Sequence, residues 1–216
     1  MIPHYNIQQM SREWHEIKWG KIGGSSSKGL FVPSDTLLMQ LLAEHTEPYE
    51  EEDNYISADM QRGIELEPLG RAELSKYAKI AFKECGWLQC EENALLGISP
   101  DGISGDETVT CEIKCPGSKK HISTVYSNQI PSDNIHQCLH YFTVNPKLER
   151  HIFGSFRPES KYPLWAKWLD RDSVIDLGTK AKPVCKTVQQ WVDIALHNAA
   201  EIKDNLKLGL DKMDRI

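Results

Sequence analysis

The stretch Ser99-Pro-Asp-Gly-Ile-Ser-Gly-Asp-Glu-Thr-Val-Thr-Cys-Glu-Ile-Lys-Cys-Pro116 decides the fold, because it joins a turn, a loop and a strand. Apolar and polar residues alternate over 108–115, which is typical of a β-strand whose successive side chains point to opposite faces. Glu112 and Lys114 are therefore predicted to share one face with Thr110. The opposite face is predicted to carry three apolar residues, Val109, Cys111 and Ile113.

A second acid, Asp101, precedes this strand in the Ser-Pro-Asp-Gly turn. If the Gly-Asp loop folds back as a hairpin, Asp101 lies on the neighbouring strand beside Glu112 and Lys114. Two carboxylates next to a lysine suit a Mg²⁺ site that handles phosphate, because Mg²⁺ prefers hard oxygen ligands. An ordinary hairpin with one cross-strand ion pair is the alternative, and Glu-x-Lys alone does not exclude it.

Together, Pro100-Asp101 and Glu112-Ile113-Lys114 resemble the core motif of the PD-(D/E)XK nuclease superfamily. More narrowly, the string resembles the phage lambda exonuclease and YqaJ viral recombinase family, in which an SPDG turn precedes a strand carrying E-x-K-C-P. The resemblance implies an α/β, restriction-endonuclease-like fold with a central mixed β-sheet flanked by α-helices. It also implies hydrolysis of DNA with Mg²⁺, two ions per active site, for which Mn²⁺ would substitute.

Upstream, 57–85 is predicted to form a long helix that Pro68 kinks or breaks. Within it, 62–71 resembles the family's G-x-x-x-E-P-x-x-R signature, whose glutamate is a metal ligand. The match assigns this role to Glu67, and Glu65, two residues away, is the competing candidate. The predicted buried stripe of the helix consists of Ile64, Leu66, Leu74, Tyr77, Ala78 and Ala81.

Near the N-terminus, Ser11 is predicted to cap a short helix, followed by a Gly-Gly-Ser-Ser-Ser turn whose amides and hydroxyls can hold an anion. Such a composition by itself is more typical of a flexible linker. The segment also resembles the family, in which a basic residue and a serine bind the 5′ phosphate of the strand being degraded. These positions match Lys18 and Ser25. Lysine stands where many relatives have arginine, which keeps the charge and loses the bidentate fork.

Downstream, Ile135 is predicted to begin a helix, and the resemblance implies that Gln137 contacts the scissile phosphate or the attacking water. The polar stretch before it is expected to be a solvated loop, or to turn basic residues toward DNA phosphates. Those residues are Lys119, Lys120 and His121. His136 and His140, at i and i+4, could share a zinc ion with Cys138. Zinc is the less favoured interpretation, because no acid of the H-E-x-x-H kind lies between the histidines.

The implied metal ligands are Glu67, Asp101, Glu112 and the backbone carbonyl of Ile113. Lys114 would orient or deprotonate the attacking water, or offset charge on the phosphorane. The resemblance implies four catalytic residues: Lys114, Glu112, Asp101 and Gln137.

Toward the C-terminus, two period-two segments over 150–157 and 164–169 are predicted to pair as an outer hairpin of the sheet. A final helix is predicted to begin at a capping box formed by Thr187 and Gln190.

The 216 residues, 40% of them hydrophobic, suit one domain over 1–216. No apolar run approaches the roughly 18 residues of a membrane span. With no signal-peptide pattern at the start, a cytoplasmic protein of a bacterial or phage-infected cell is expected. The net charge of −6 argues against tight non-specific coating of DNA but is compatible with a local basic groove.

The resemblance implies a 5′-to-3′ exonuclease that digests one strand of double-stranded DNA from its end. The product would be a 3′ overhang for a single-strand annealing partner, and the enzyme would be a ring-shaped homotrimer. Three alternatives remain open at this point. The chain could be an endonuclease or repair nuclease of the same superfamily, a non-catalytic DNA-binding module on a nuclease fold, or a phosphohydrolase acting on small molecules.

Overall fold

The computed structural model describes residues 1–32, 34–50 and 57–215. The helices of these ranges are α1 (Arg12–Lys18), α2 (Lys28–Phe31), α3 (Asp35–Thr46), α4 (Ala58–Ala78), α5 (Ser118–Ser127), α6 (Ile135–Val144) and α7 (Val188–Met213). The strands are β1 (Ile2–His4), β2 (Trp87–Gln89), β3 (Gly97–Ile98), β4 (Gly102–Ile103), β5 (Val109–Lys114), β6 (Arg150–Phe156), β7 (Leu164–Asp170), β8 (Val174–Asp176) and β9 (Cys185–Thr187).

The central sheet has the strand order β4-β5-β6-β7. Strands β5 and β6 are parallel, and the other two pairings are antiparallel. The connection between the parallel strands contains α5 and α6, as a crossover between parallel strands requires. The expected mixed sheet flanked by helices is therefore confirmed, and so is the predicted hairpin of β6 and β7.

The two faces of the sheet bury different apolar clusters. Helix α4 covers one face, where Leu74 packs with Cys111 and Ile113 of β5. On the other face, Phe153 of β6 belongs to the larger core that also contains residues of α6 and α7. The predicted apolar face of β5 is thus buried under α4, which leaves the side chains of Glu112 and Lys114 on the opposite face.

A second sheet has the order β1-β2-β3 and packs beside α6. The buried His140 of α6 joins it to the segment before the Gly-Ser turn, because its Nε2 lies 3.0 Å from the Ile22 carbonyl and 3.1 Å from that of Gly97. Since this nitrogen already faces two carbonyls, it is not available to a zinc ion. Within the described residues, the Nδ1 of His140 has no hydrogen-bond partner, but His136, Cys138 and His140 do not come together there as a possible metal site, so the zinc interpretation has no support.

Helix α4 differs from its prediction at its end and along its stripe, and of the two outcomes predicted for Pro68 the break is excluded. It ends at Ala78 instead of near Cys85, because Lys79 adopts a left-handed conformation (φ 57°) and the Ile80 amide donates to Ser75. It continues through Pro68 without a break. Three residues of the predicted buried stripe are exposed: Ile64 (43%), Tyr77 (56%) and Ala81, which lies beyond the end of the helix.

The polar stretch that was expected to be a loop is helix α5. His121 is fully buried in it, with Nδ1 2.9 Å from Ser155 Oγ and Nε2 2.7 Å from the Tyr162 carbonyl. It therefore does not face DNA, whereas Lys119 and Lys120 are exposed. The short strands β1, β8 and β9 were not predicted. The capping box of Thr187 and Gln190 at the start of α7 is confirmed.

None of the helices in the described ranges is both long and apolar enough to cross a membrane. The six cysteines are all free thiols.

Candidate active site

Strand β5 directs Glu112 and Lys114 to the same side of the central sheet. The Lys114 Nζ lies 2.5 Å from Glu112 Oε1, in agreement with the predicted alternation. The Glu112 side chain is 1% exposed and that of Lys114 is 39% exposed. The pair therefore places a half-buried ammonium group against a fully buried carboxylate.

Asp101 lies at the end of the turn that leads into β4. Because β4 pairs with β5 so that Gly102 faces Cys111, the Asp101 Oδ2 accepts a hydrogen bond of 2.6 Å from the Ile113 amide. Burial, followed by the charge of Glu112, raises the pKa of Asp101 well above its usual value. The hairpin thus brings two carboxylates together in a place where a cation would relieve their repulsion.

A third acid, Glu67 of α4, lies close enough to Glu112 and Lys114 for their charges to act on it. Burial raises the pKa of Glu67, and the charges of Arg71, Glu112 and Lys114 also act on that pKa. The competing candidate, Glu65, is exposed and accepts a hydrogen bond of 2.7 Å from a glutamine on its own helix. The packing therefore favours Glu67 over Glu65 as the acid that faces the site.

Close packing of α4 on the sheet allows this approach. A Cβ added to the buried Gly70 would come within 2.8 Å of the Ile113 side chain, so only glycine lets the helix lie this near to β5. One residue later, Arg71 Nη1 donates a 2.6 Å hydrogen bond to the Asp101 carbonyl and lies 3.8 Å from Glu67 Oε1. The arginine of the signature therefore connects the helix to the turn that holds Asp101.

The donor set fits a hard divalent cation. Mg²⁺ commonly takes one or two protein carboxylates and completes its shell with water and phosphate oxygens, and Asp101 and Glu112 supply two. No three His, Cys, Asp or Glu side chains within 1–32, 34–50 and 57–215 lie close enough together to share one ion. Glu67 would have to exchange its contact with Arg71 for the ion. The role of the Ile113 carbonyl stays a prediction.

Sequence reasoning missed Tyr141. Its hydroxyl donates a 2.5 Å hydrogen bond to Glu112 Oε2, and its ring stacks on His151 with 4.4 Å between the ring centroids. His151 Nδ1 in turn lies 2.9 Å from Thr110 Oγ1, on the same strand as Glu112. A signal was available, because Tyr141 follows Gln137 by four residues and so lies on the same face of α6.

Gln137 lies where α6 meets the Gly-Ser turn. A Cβ added to Gly24 would be 3.0 Å from the Gln137 Nε2, so the two backbones are as close as the glutamine side chain permits. One helical turn later, Tyr141 contacts Glu112. Helix α6 therefore spans the distance between the turn and the carboxylates, with Gln137 at the end near Ser25.

Lys18 and Ser25, the predicted phosphate ligands, line one cavity of about 320 Å³. The Lys18 Nζ lies 3.3 Å from the centroid of the Trp14 ring, and burial lowers the pKa of Lys18 to about 8. The turn is held by its own serines, since Ser26 Oγ accepts a hydrogen bond from the Gly23 amide at 3.0 Å. Ser25 is left exposed to the cavity. The two residues are thus brought together, and their role with phosphate stays a prediction.

Comparison with known families bears on the whole of this site. The family model of the YqaJ-like viral recombinase domain matches residues 13–147. This segment contains every candidate site residue, from Lys18 to Gln137. A search among curated proteins found no match for the chain.

Solved structures share the fold. The crystal structure of an alkaline exonuclease (LHK-Exo) from Laribacter hongkongensis is 22% identical, with a TM-score of 0.78 over 95% of this chain and 97% of that one. The structure of LHK-Exo in complex with dAMP is also 22% identical, with a TM-score of 0.73 over 95% of this chain and 99% of that one. A phage-related exonuclease from Haemophilus somnus 129PT is 12% identical, with a TM-score of 0.57 over 96% of each chain.

Proposed function

The chain belongs to the family of YqaJ-like viral recombinase domains, and on that premise we propose that it is a metal-dependent exonuclease that degrades one strand of linear duplex DNA. One observation carries the proposal: Asp101, Glu112 and Lys114 converge at one side of the sheet. The likeness of the fold to alkaline exonucleases supports the same conclusion.

In this proposal Asp101, Glu112 and the Ile113 carbonyl hold Mg²⁺, and Glu67 helps to hold a second ion. Mn²⁺ would substitute, since it accepts the same oxygen ligands. When bound, the metal supplies positive charge to the phosphate oxygens and makes water a stronger nucleophile. The protein contributes two carboxylates that burial and hydrogen bonds hold in place before the substrate arrives.

Lys114 lies on the same face of β5 as Glu112, with its Nζ 2.5 Å from Glu112 Oε1. Burial lowers the pKa of Lys114, and the charges of Glu112 and Asp101 outweigh burial and raise it, whereas a cation held by those two carboxylates would offset their charge and lower the pKa again. The amine is therefore placed to orient or deprotonate the attacking water, or to offset negative charge that develops on the phosphate. Gln137, at the end of α6 near the site, orients the scissile phosphate or the same water.

The polarity of digestion is assigned to the cavity lined by Lys18 and Ser25. A terminal 5′ phosphate is close to dianionic at neutral pH, so an ammonium group and an exposed hydroxyl provide suitable partners for it. A strand whose 5′ phosphate occupies this cavity would present its next phosphodiester to the carboxylates along α6. Digestion then proceeds 5′ to 3′, releases nucleotides, and leaves the other strand as a 3′ overhang.

Such an overhang is the substrate of a single-strand annealing protein, which we include as the partner. A homotrimeric ring around the DNA, in the cytoplasm of a bacterial or phage-infected cell, completes the proposal. Family resemblance is the support for these three statements.

The test is digestion of linear duplex DNA labelled at either end, with and without a 5′ phosphate, beside a closed circular plasmid. We expect Mg²⁺-dependent release of nucleotides from 5′-phosphorylated ends, an intact plasmid, and no reaction in excess EDTA. Cleavage of the closed circle would instead indicate an endonuclease. Absence of nucleotide release with Mg²⁺ and with Mn²⁺, at neutral and alkaline pH, would indicate a non-catalytic DNA-binding module.

A further inference from the structure

A second groove lies outside the carboxylate cluster, between α5, the segment leading into α6, and the strands β7 and β8. Its volume is about 1030 Å³. Lys119, Lys120, Lys167 and Lys180 line it, and Asp176 is the single acid among its described lining residues. This surface is called the lysine groove below.

The positive charge of the lysine groove is local, because the chain as a whole has a net charge of −6. Lys120 is paired with Asp133 at 2.6 Å. In contrast, Lys119 and Lys180 have no acidic partner in the part of the chain that the structure describes. A concave surface with uncompensated lysines attracts a polyanion and binds it in a salt-dependent way.

The floor of the lysine groove is apolar, and an exposed aromatic residue stands beside it. Tyr126 is 92% exposed, and it shares a face of α5 with Lys119 and Ser123, because 119, 123 and 126 are spaced by four and three residues. The apolar lining includes Ile130, Pro131, Ile135, Leu169, Ile175 and Leu177. Lysines beside apolar and aromatic surface provide contacts for both the phosphates and the base faces of an unpaired strand.

The lysine groove begins next to the candidate active site. Ile135 and His136 line it, and Gln137 is the next residue of α6. The charge of Lys114 also reaches this end: the pKa of Asp133 is lowered mainly by its hydrogen bond from Lys120, and Lys114 adds to the effect. A strand that leaves the carboxylates can therefore enter the lysine groove directly.

We propose that the lysine groove binds the single-stranded 3′ overhang as it forms, an inference that rests on the proposed exonuclease function. The degraded strand leaves as nucleotides, so the polymer that emerges unpaired is its complement. A single strand offers phosphates to the lysines and base faces to Tyr126 and the apolar floor. A duplex keeps its bases stacked inside and would use the lysines alone.

The test measures binding without cleavage, with EDTA present and with Asp101→Asn in every protein. Fluorescence anisotropy follows a labelled single strand, and a blunt duplex of equal length, over a range of salt concentrations. In the triple variant Lys119→Ala, Lys167→Ala, Lys180→Ala, we expect weaker binding of the single strand. The slope of log affinity against log salt should fall by about 2, since each lost single-strand phosphate contact contributes about 0.7.

The matched control is Lys203→Ala, Lys207→Ala, Lys212→Ala, which removes the same charge from exposed positions on α7. This control should leave both the affinity and the slope close to those of the parent. Equal changes in the two triple variants would overturn the proposal, because net charge alone would then explain the binding.

Tyr126→Ala tests the aromatic contact separately. We expect at least a fivefold loss of single-strand affinity at every salt concentration, about the lower bound for one stacked base. The salt slope should not change, because the ring releases no counterions. Tyr126→Trp should restore binding, and an equal loss in Tyr126→Trp would contradict stacking.

Three further outcomes also test whether the lysine groove binds the single strand. If the lysine variant loses blunt-duplex and single-strand binding equally, the groove is a duplex track and the proposal is overturned. If sedimentation shows a loss of self-association with DNA binding intact, the groove is a contact between copies of the chain, which overturns it as well. A protein that binds the single strand through these residues but releases no nucleotides would contradict the proposed nuclease and leave single-strand binding by the groove supported.

Discussion

The carboxylate cluster and the Lys18 cavity are built in opposite ways. In the cluster, Asp101 and Glu112 are almost completely buried, and each is held by hydrogen bonds from the backbone or from Tyr141. In the cavity, Ser25 is exposed and Lys18 rests on the face of Trp14. The cluster is thus organised by the central sheet, whereas the cavity is organised by a short helix and a turn.

This difference indicates that, in the proposed enzyme, the cluster carries out the chemical step and the cavity recognises the DNA end. Buried carboxylates held by hydrogen bonds suit a chemical step, because their orientation does not have to be established when the substrate binds. An open cavity with one ammonium group suits recognition of a chain end that must enter and leave repeatedly. Changes to the cluster should therefore abolish cleavage, whereas changes to the cavity should alter which ends are cleaved.

The largest effect is expected for Lys114→Ala and Asp101→Asn. Each should lower the rate of nucleotide release by roughly a thousandfold or more, because each removes a group that acts on the reacting phosphate or its metal. Single-turnover digestion of 5′-phosphorylated duplex measures the loss, and thermal unfolding checks that the variants fold. A loss of less than about tenfold in both would mean that the site is misassigned.

A smaller and more selective effect is expected for Lys18→Ala. It should lower kcat/KM on 5′-phosphorylated ends by about a hundredfold, the upper range for a charge-assisted contact of about 2–3 kcal/mol, and change cleavage of 5′-hydroxyl ends little. Lys21→Ala is the matched control, because Lys21 lines the same cavity but donates to the Ile17 carbonyl at 2.6 Å. Equal losses on both kinds of end would contradict a phosphate-specific role.

Tyr141→Phe should have an effect of about tenfold on kcat, the value of one hydrogen bond to a charged group. Since the lost bond orients Glu112, the Mg²⁺ concentration for half-maximal rate should also rise. Tyr5→Phe is the matched control, as it removes a tyrosine hydrogen bond to Glu107, which lies in the exposed loop between β4 and β5 and is not one of the clustered carboxylates. A fall in rate with unchanged Mg²⁺ dependence would leave Tyr141 a role in packing alone.

The smallest effect concerns pH. Because burial lowers the pKa of Lys18 to about 8, its ammonium form predominates below pH 8 and is lost as the pH rises through that value. The preference for phosphorylated over hydroxyl ends, measured as a ratio of kcat/KM, should therefore fall several-fold between neutral and alkaline pH. Lys18→Arg should keep the preference at alkaline pH, since a guanidinium stays charged. A ratio that does not change with pH in either protein would refute this titration.

Local patterns predicted the part of the site that depends on a short stretch of chain. Alternation over 108–115 placed Glu112 and Lys114 on one face, and the Gly-Asp loop predicted the hairpin that brings Asp101 to them. The end of α4 was missed, because its left-handed residue is Lys79 and not the glycine that usually signals a helix end. Helix α5 was missed because its two buried residues, His121 and Thr124, are themselves polar and give no apolar stripe.

Side-chain period and turn chemistry act over a few residues, and they are sufficient to specify the strand, its faces and the hairpin. The meeting of Glu67, Arg71 and Asp101 depends instead on how closely α4 approaches the sheet at Gly70. The contact of Tyr141 with Glu112 and the assembly of the lysine groove likewise join residues far apart in the chain. Such contacts are set by the packing of whole elements against one another, which no local pattern encodes.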